Sequence, residues 1–487
     1  MPDWSPGNYT RNPRNTTGYV LKRLCFLLLF VTACDVPPPN VVVILIDDLG
    51  WRDTGVYGST FYQTPNIDRL AAEGTRFTQF YASSPVCSPT RASIMTGKHP
   101  ARLQITNWIG GMANDQLLQA EYRHALPLEE ITMGEIFQEA GYNTAFIGKW
   151  HLGTEGFRPE YQGFETVLAS NDAGQPGSYF APYTNVNFAA SNVPNLETDP
   201  DSTYLTDRLT DLAIDVITSD REHPFFLVLS HYGVHTPIQA KPQDIQRFHT
   251  SDMRTDFKPE LFGGATRTTQ DHATYAAMIA SIDESVGRIL QVLEETGLQQ
   301  HTIIVFTSDN GGLSTLSRDR RWAPTSNLPL RAGKGWLYEG GLRIPLIIRG
   351  LHDTPPTVDQ PGTTDDLLPT IAALAGIENP AVVDGIDLFT EPVHERILYW
   401  HFPHYHGSAN RPSGAVRSGR YKVIEWFEND ATELYDLESD PGETADISQF
   451  EPGLTQDLLH RLETWQSAVD AQMPRPNPDY SDQPDDS

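Results

Sequence analysis

The chain has 487 residues, 39% of them hydrophobic and 10% aromatic, which suits one large domain with a smaller one. Its 63 acidic residues against 35 basic ones leave a formal charge of -28, a surface that repels nucleic-acid backbones and anionic membrane faces. Any site for an anion must therefore bring its own local cations or a metal.

Residues 1–19 are polar and rich in Pro and Asn, unlike the start of a signal peptide, which points to translation beginning near Val20. Lys22 and Arg23 then precede the apolar run 24–31, too short to span a bilayer as a mature helix and suited to a signal-peptide core. The run ends in Val31-Thr32-Ala33-Cys34, which resembles the bacterial lipobox. That resemblance implies removal of residues 1–33, a lipid on Cys34, and an exported protein anchored to a membrane and facing the periplasm or cell surface. Of the 3 cysteines, Cys25 lies in the signal and Cys34 in the lipobox, so only Cys87 is left in the body. With no internal disulfide available, stability rests on the core alone. A solitary thiol in an oxidising compartment is a liability, and its plainest use is as a small buried hydrophobe.

After a linker at 34–40, the run 41–46 is unbroken, apolar and mostly β-branched, the pattern of a strand buried on both faces. Similar runs at 145–147, 225–229, 303–307 and 344–348 alternate with helical patterns at 66–73, 133–140, 205–218, 272–295 and 365–375. Gly74, Gly141 and Gly376 supply helix stops. This alternation predicts an α/β domain over 41–386 with a large, mostly parallel sheet flanked by helices. Residues 387–473 change texture: strands at 397–402, 414–426 and 432–437, then an amphipathic helix at 454–471, predict a smaller antiparallel sheet with one covering helix. Residues 474–487 read as a disordered acidic tail.

Chemistry in open α/β sheets gathers at the carboxyl ends of strands. The run 41–46 leads into Asp47-Asp48, and 303–307 leads into Ser308-Asp309-Asn310-Gly311-Gly312. Asp47, Asp48, Asp309 and Asn310 are hard oxygen donors, which suit calcium or magnesium better than zinc. Either segment alone reads better as a turn. A third segment, Cys87-Ser88-Pro89-Thr90-Arg91, places Pro89 in the first turn of a helix, whose N-terminus attracts anions.

Cys87-Ser88-Pro89-Thr90-Arg91, continued by Thr96-Gly97, resembles the signature of the type I, formylglycine-dependent sulfatases, arylsulfatase-like and in a bacterial lipoprotein form. Further blocks are similar to that family in the same order: the opening strand ending in Asp47-Asp48, Gly148-Lys149-Trp150-His151, Val234-His235-Thr236-Pro237, Gly333-Lys334-Gly335, and Glu433-Leu434-Tyr435-Asp436-Leu437. The resemblance implies an alkaline-phosphatase-like fold. It implies oxidation of Cys87 to formylglycine (3-oxoalanine) by a formylglycine-generating or radical maturase. One Ca2+ would be held by Asp47, Asp48, Asp309 and Asn310 with an oxygen of the modified Cys87.

The implied reaction is attack of the aldehyde hydrate on the sulfur of a sulfate ester, giving a covalent sulfated intermediate that the second hydroxyl then expels. Arg91, Lys149 and Lys334 would supply fixed positive charge, and His151 would hold the hydroxyl of the modified residue. His235, with Lys334, would protonate the leaving oxygen, with His231 four residues earlier as a competitor.

The aromatic and imidazole string 399–406, which includes His404 and His406, together with Asn107 and Trp108, suggests a carbohydrate subsite. It serves equally well to pack the small sheet against the large one. The expected substrate is a sulfated polysaccharide or oligosaccharide, an algal glycan such as ulvan or a glycosaminoglycan. Two alternatives share these residues: a formylglycine-dependent phosphodiester or phosphonate monoester hydrolase, and a non-catalytic glycan-binding lipoprotein.

Overall fold

The apolar run at 41–46 forms the strand Asn40–Ile46, buried at every position. The computed structural model describes residues 37–481 except 197–199, 249–255, 319–322, 351–353, 379–380 and 390–395. The signal segment, Cys34 and residues 482–487 lie outside the described residues. Among the described residues no helix is long and apolar enough to cross a membrane.

Asn40–Ile46 sits inside an eight-stranded sheet. From one edge the order is Thr357–Val358, Thr75–Phe77, Leu346–Arg349, Thr302–Ser308, Asn40–Ile46, Phe225–Ser230, Asn143–Gly148 and Thr166–Leu168. Val43 pairs in parallel with Val305 on one side and Val228 on the other. Only Leu346–Arg349 runs against its neighbours, antiparallel to both Thr302–Ser308 and Thr75–Phe77. The expected strand at 344–348 thus starts two residues later, because the backbone N–H of Ile344 donates to Phe80 O instead.

The pleat sends alternate side chains to opposite faces. Val42, Ile44 and Ile46 join a core with the helices Pro65–Glu73, Leu205–Thr218 and Ala273–Glu295. Val41, Val43 and Leu45 join another with Cys87–Thr96, Met133–Glu139 and Leu367–Leu374. An unbroken apolar run is what a strand covered on both faces requires.

Ile397–Phe402, Ser413–Ser418, Tyr421–Trp426 and Ala431–Asp436 form the four-stranded antiparallel sheet. The single strand expected at 414–426 is two strands, because Gly419 adopts φ 56°, a left-handed conformation that turns the chain back. The helix Pro452–Ala468 covers one face through Leu458 and Leu462 against Val416, Val423 and Leu434. On the other face Trp400, Phe402 and Trp426 pack against Tyr81, Trp336 and Tyr338. Part of the aromatic string at 399–406 is therefore packing, not surface.

This seam also holds a buried ionic cluster. Lys422 Nζ, fully buried, donates to Glu339 Oε1 at 3.1 Å and to Glu443 Oε1 at 2.9 Å, while Glu443 Oε2 accepts the backbone N–H of Glu339 at 2.7 Å. The tail read as disordered from 474 begins with Arg475–Pro476 paired antiparallel to Leu117–Leu118. Asn477 Nδ2 then donates to Asp115 O at 2.7 Å, so this part of the tail is anchored.

Candidate active site

Three strand ends and one helix start converge at the carboxyl rim of the sheet. Asp47 and Asp48 follow Asn40–Ile46, Asp309 and Asn310 follow Thr302–Ser308, and Lys149 follows Asn143–Gly148. Cys87 opens the helix Cys87–Thr96, with Val86 as its extended cap and Gly97 closing it at φ 66°. Its free backbone N–H groups make that end favourable for an anion. All ten helix residues are buried, so the nucleophile candidate sits on a rigid element.

Cys87 Sγ lies 3.3 Å from His151 Nδ1, whose other nitrogen faces Ile109 O at 3.3 Å. Burial, followed by the nearby Lys149, lowers the His151 pKa to about 3, so its imidazole is neutral at physiological pH.

Each acid of the pair Asp47-Asp48 has its own lysine. Lys149 Nζ donates to Asp47 Oδ2 at 2.8 Å, and Lys334 Nζ donates to Asp48 Oδ1 at 2.6 Å. Burial raises the Asp47 carboxyl, with Lys149 opposing. For Asp48 the burial penalty is outweighed by Lys334, His235 and Lys149, which hold its carboxyl well below the usual range. Burial likewise opposes ionisation of Asp309, and Arg91 with Lys149 overcomes it.

Arg91 is a clamp. Its Nε donates to Asp309 Oδ2 at 2.8 Å, and its Nη1 donates to Lys149 O and Ser230 Oγ, both at 2.8 Å. His235 Nε2 lies 3.7 Å from Asp48 Oδ2, and its Nδ1 faces Thr236 O at 3.0 Å. Burial and then Lys334 lower its pKa to about 3.

The donor set fits a divalent cation. Ligand atoms of Asp47, Asp48 and His235 lie within 4.8 Å of one another. Asp47 Oδ1, Asn310 Oδ1 and Arg91 Nη2 are buried polar atoms without a hydrogen-bond partner. Two orphaned oxygens beside paired carboxylates are what an oxygen-ligated ion would satisfy. Asp309 stands beside this group through its Oδ1, which accepts the backbone N–H of Asp48 at 3.2 Å.

The expected substrate contacts divide. Trp108 is 37% exposed on the turn that brings Ile109 O to His151. Asn107 is buried and accepts the backbone N–H of Trp108 on its Oδ1 at 2.9 Å. His406 packs over Gly335, beside Lys334, and pairs its Nδ1 with Ser408 Oγ at 2.8 Å. His404 corrects the expectation: it is fully buried with Nε2 on Thr106 Oγ1 at 2.8 Å, so it braces the turn before Asn107, and its unpartnered Nδ1 is closed off from the surface. His231 is also fully buried, facing Ser285 Oγ at 3.0 Å, which removes it as a competitor for the leaving group.

Several supporting residues escaped the sequence reading. Ser230 bridges Arg91 and Lys149 O. Tyr275 OH joins Asp48 O to the buried Asp53. Asn327 Nδ2 donates to Gly312 O, Ala332 O and Gly340 O, tying the Asn310 loop to the Lys334 loop.

The family model described as Sulfatase matches residues 39–377, and one described as N-sulphoglucosamine sulphohydrolase, C-terminal, matches residues 332–468. An N-acetylgalactosamine-6-sulfatase of Rattus norvegicus is 33% identical over 415 residues, 80% of this chain and 72% of that protein. Arylsulfatase A of Homo sapiens is 33% identical over 479 residues, 88% of this chain and 87% of that protein. A solved structure of Ps i-CgsB in complex with k-i-k-neocarrahexaose is similar with a TM-score of 0.74 at 27% identity, covering 92% of this chain and 95% of that one. With the family pattern matched along most of its length and its acids, lysines and cysteine gathered at one rim, the chain belongs to the sulfatase family, the sulfuric ester hydrolases.

Proposed function

We propose that this enzyme hydrolyses sulfate esters on a sulfated polysaccharide or oligosaccharide, with Cys87 matured to formylglycine as its nucleophile. The observation that carries the reading is Cys87 Sγ at 3.3 Å from a neutral His151, at a helix start that faces paired acid–lysine couples. The rat relative's name and the carrahexaose in the Ps i-CgsB structure support a sugar sulfate. The half-exposed Trp108 at the mouth gives a sugar ring an aromatic face.

Asp47, Asp48, Asp309 and Asn310 would hold a divalent ion, Ca2+ in our reading, which when bound supplies Lewis-acid polarisation of the sulfate oxygens. The chain's own residues do the rest. His151 Nδ1, neutral, accepts a proton from the hydroxyl of the matured residue and fixes its direction. Lys149 and Lys334 are fixed cations against the anionic group, and Arg91 aims Asp309 while its Nη2 stands 3.9 Å from Asp47 Oδ1. Lys334, kept charged by Asp48 against the burial penalty, bears a proton at neutral pH close to His235, and the two serve the leaving oxygen. The exported, lipid-anchored location implied by Cys34 and a maturase acting on Cys87 complete the proposal.

The mass of the tryptic peptide containing Cys87 separates thiol from aldehyde. Turnover of p-nitrophenyl sulfate well above that of a phosphonate monoester is the expected companion result, and the reverse preference would overturn the reading. Exhaustive chelation should abolish sulfate-ester turnover and lower Tm, and added Ca2+ should restore both. Full activity in a sample shown to be metal-free would remove the ion from the scheme.

A further inference from the structure

We infer that the cleft beside the His151 turn is a second sugar position, which takes a flanking residue of a sulfated oligosaccharide and holds an anionic group on it through Arg158. This rests on the sulfated-glycan reading and adds to it where the rest of the chain lies. The cleft has a volume of about 360 Å³ and is lined by Trp150, Arg158, Ser170, Asn171, Asp172 and Asn192 among others.

Its position follows from the sheet. Trp150 follows the carboxyl end of Asn143–Gly148, and Ser170 to Asp172 follow that of Thr166–Leu168, the edge strand. These ends stand two and three places from Asn40–Ile46 on the same rim. Lys149, from the same strand end, reaches Asp47 Oδ2 at 2.8 Å, so the cleft adjoins the catalytic group, yet Cys87, Asp47, Asp48 and Lys334 are not in its lining, which suits a sugar next to the one bearing the scissile ester.

The cleft shares its wall with the catalytic turn. Trp150 N–H donates to Asn171 O at 3.2 Å, and Gly153 N–H donates to Asp172 Oδ1 at 2.7 Å. A Cβ added at Gly174 would lie 2.6 Å from His151 Cε1, so the segment closing the cleft also backs the histidine ring. Both sites are thus built from one rigid stretch of chain.

Its chemistry suits a charged sugar. The Asn171 amide is committed to Ser191 O and Asn192 O. Among the described residues, nothing pairs with the Ser170 hydroxyl, Asp172 Oδ2 or the Asn192 amide Nδ2. A mixed set of donors and acceptors on a partly apolar wall is how hydroxyl groups are recognised. Arg158 lies exposed at the rim, and its guanidinium makes no hydrogen bond, ion pair or ring contact among the described residues. The lining also holds the acids Glu160 and Asp172, and Arg158 is its one cation, so an anionic group on the sugar can be met only there.

The test uses the matured, metal-loaded enzyme with p-nitrophenyl sulfate and with sulfated di- and hexasaccharides from carrageenan and from chondroitin sulfate. In whichever series is cleaved, kcat/KM should rise from disaccharide to hexasaccharide. Arg158→Ala should lower hexasaccharide kcat/KM relative to that for p-nitrophenyl sulfate about ten-fold, chiefly through KM, the loss of one charge-assisted contact. Arg158→Lys should recover part of this, and Ser170→Trp, which fills the cleft, should repeat the loss. Equal effects of all variants on every substrate, or none on the hexasaccharide, would overturn the inference while leaving the glycan reading intact. A wild-type enzyme that cleaves aryl sulfate and no oligosaccharide would sink the glycan reading and this inference with it.

Discussion

Replacing Cys87 by alanine should lower kcat/KM for p-nitrophenyl sulfate at least about 10³-fold, the scale seen when a nucleophile is deleted from an otherwise intact site. The argument is geometric. No other nucleophilic side chain among the described residues faces His151, whose two nitrogens are taken by Cys87 and by Ile109 O. The acids and lysines contact one another and need nothing from the thiol, so the charge arrangement survives the change. Only one sulfur atom leaves a buried helix start, and Tm should fall by a few degrees at most. Cys87→Ser tests the chemistry more finely. It keeps a hydroxyl but gives the maturase no thiol to oxidise, and it should fall as far as the alanine variant in steady-state turnover. A serine variant of near wild-type activity whose peptide mass shows an unoxidised serine would show that the aldehyde is dispensable.

The largest stability effect is expected at Lys422→Met. Lys422 is the common cation of Glu339 and Glu443, and all three are buried where the small sheet meets the large domain. Removing one partner of a buried ionic cluster leaves uncompensated charge, a cost of about 3–5 kcal/mol. The cost should depend on pH in a definite direction. Burial pushes the Glu443 carboxyl up to about 7, with Lys422 opposing and the adjacent Glu339 adding to the rise. A carboxyl whose folded pKa is raised contributes stability below its unfolded value, near 4.5, and loses it as pH rises through about 7. Without Lys422, which opposes the rise, the Glu443 carboxyl moves higher still, so at pH 8 the variant must either bury two charges or take up a proton the wild type lacks, whereas at pH 5 Glu443 is protonated in both. Chemical denaturation at both values should therefore show the larger loss at pH 8. An equal loss at both would assign the effect to packing. Activity should survive below the variant's midpoint, since the cluster touches none of the site residues.

Much of the fold was legible because its signal is local. An apolar β-branched run such as 41–46 allows little except a strand covered on both faces, and Leu205–Thr218 matches its sequence pattern residue for residue. The break at Gly419 was missed because both halves of 414–426 continue the same composition and one glycine decides the turn. The acids were legible as a consequence of where strands end. Their supports were not: Ser230 meets Arg91 across 139 residues and Tyr275 meets Asp48 across 227, and a serine or tyrosine carries no mark of such a partner. His404 misled for the opposite reason. An imidazole among aromatics suggests a sugar, yet its ring is enclosed and its Nε2 is committed to Thr106.

The single reversed strand, Leu346–Arg349, has a consequence for how the two lysines fail. Lys149 reaches the rim as the continuation of an outgoing parallel strand, whereas the Lys334 loop precedes an incoming one. The two cations arrive from opposite chain directions and are fastened by separate supports, Ser230 beneath one and Asn327 beneath the other. Damage to the Lys334 loop should fall chiefly on Asp48, whereas damage around Lys149 should reach Asp47, Asp48 and Asp309, which all feel its charge. The two sides of the centre therefore fail unequally, the Lys334 side losing one lysine and the Lys149 side losing the cation shared by all three acids.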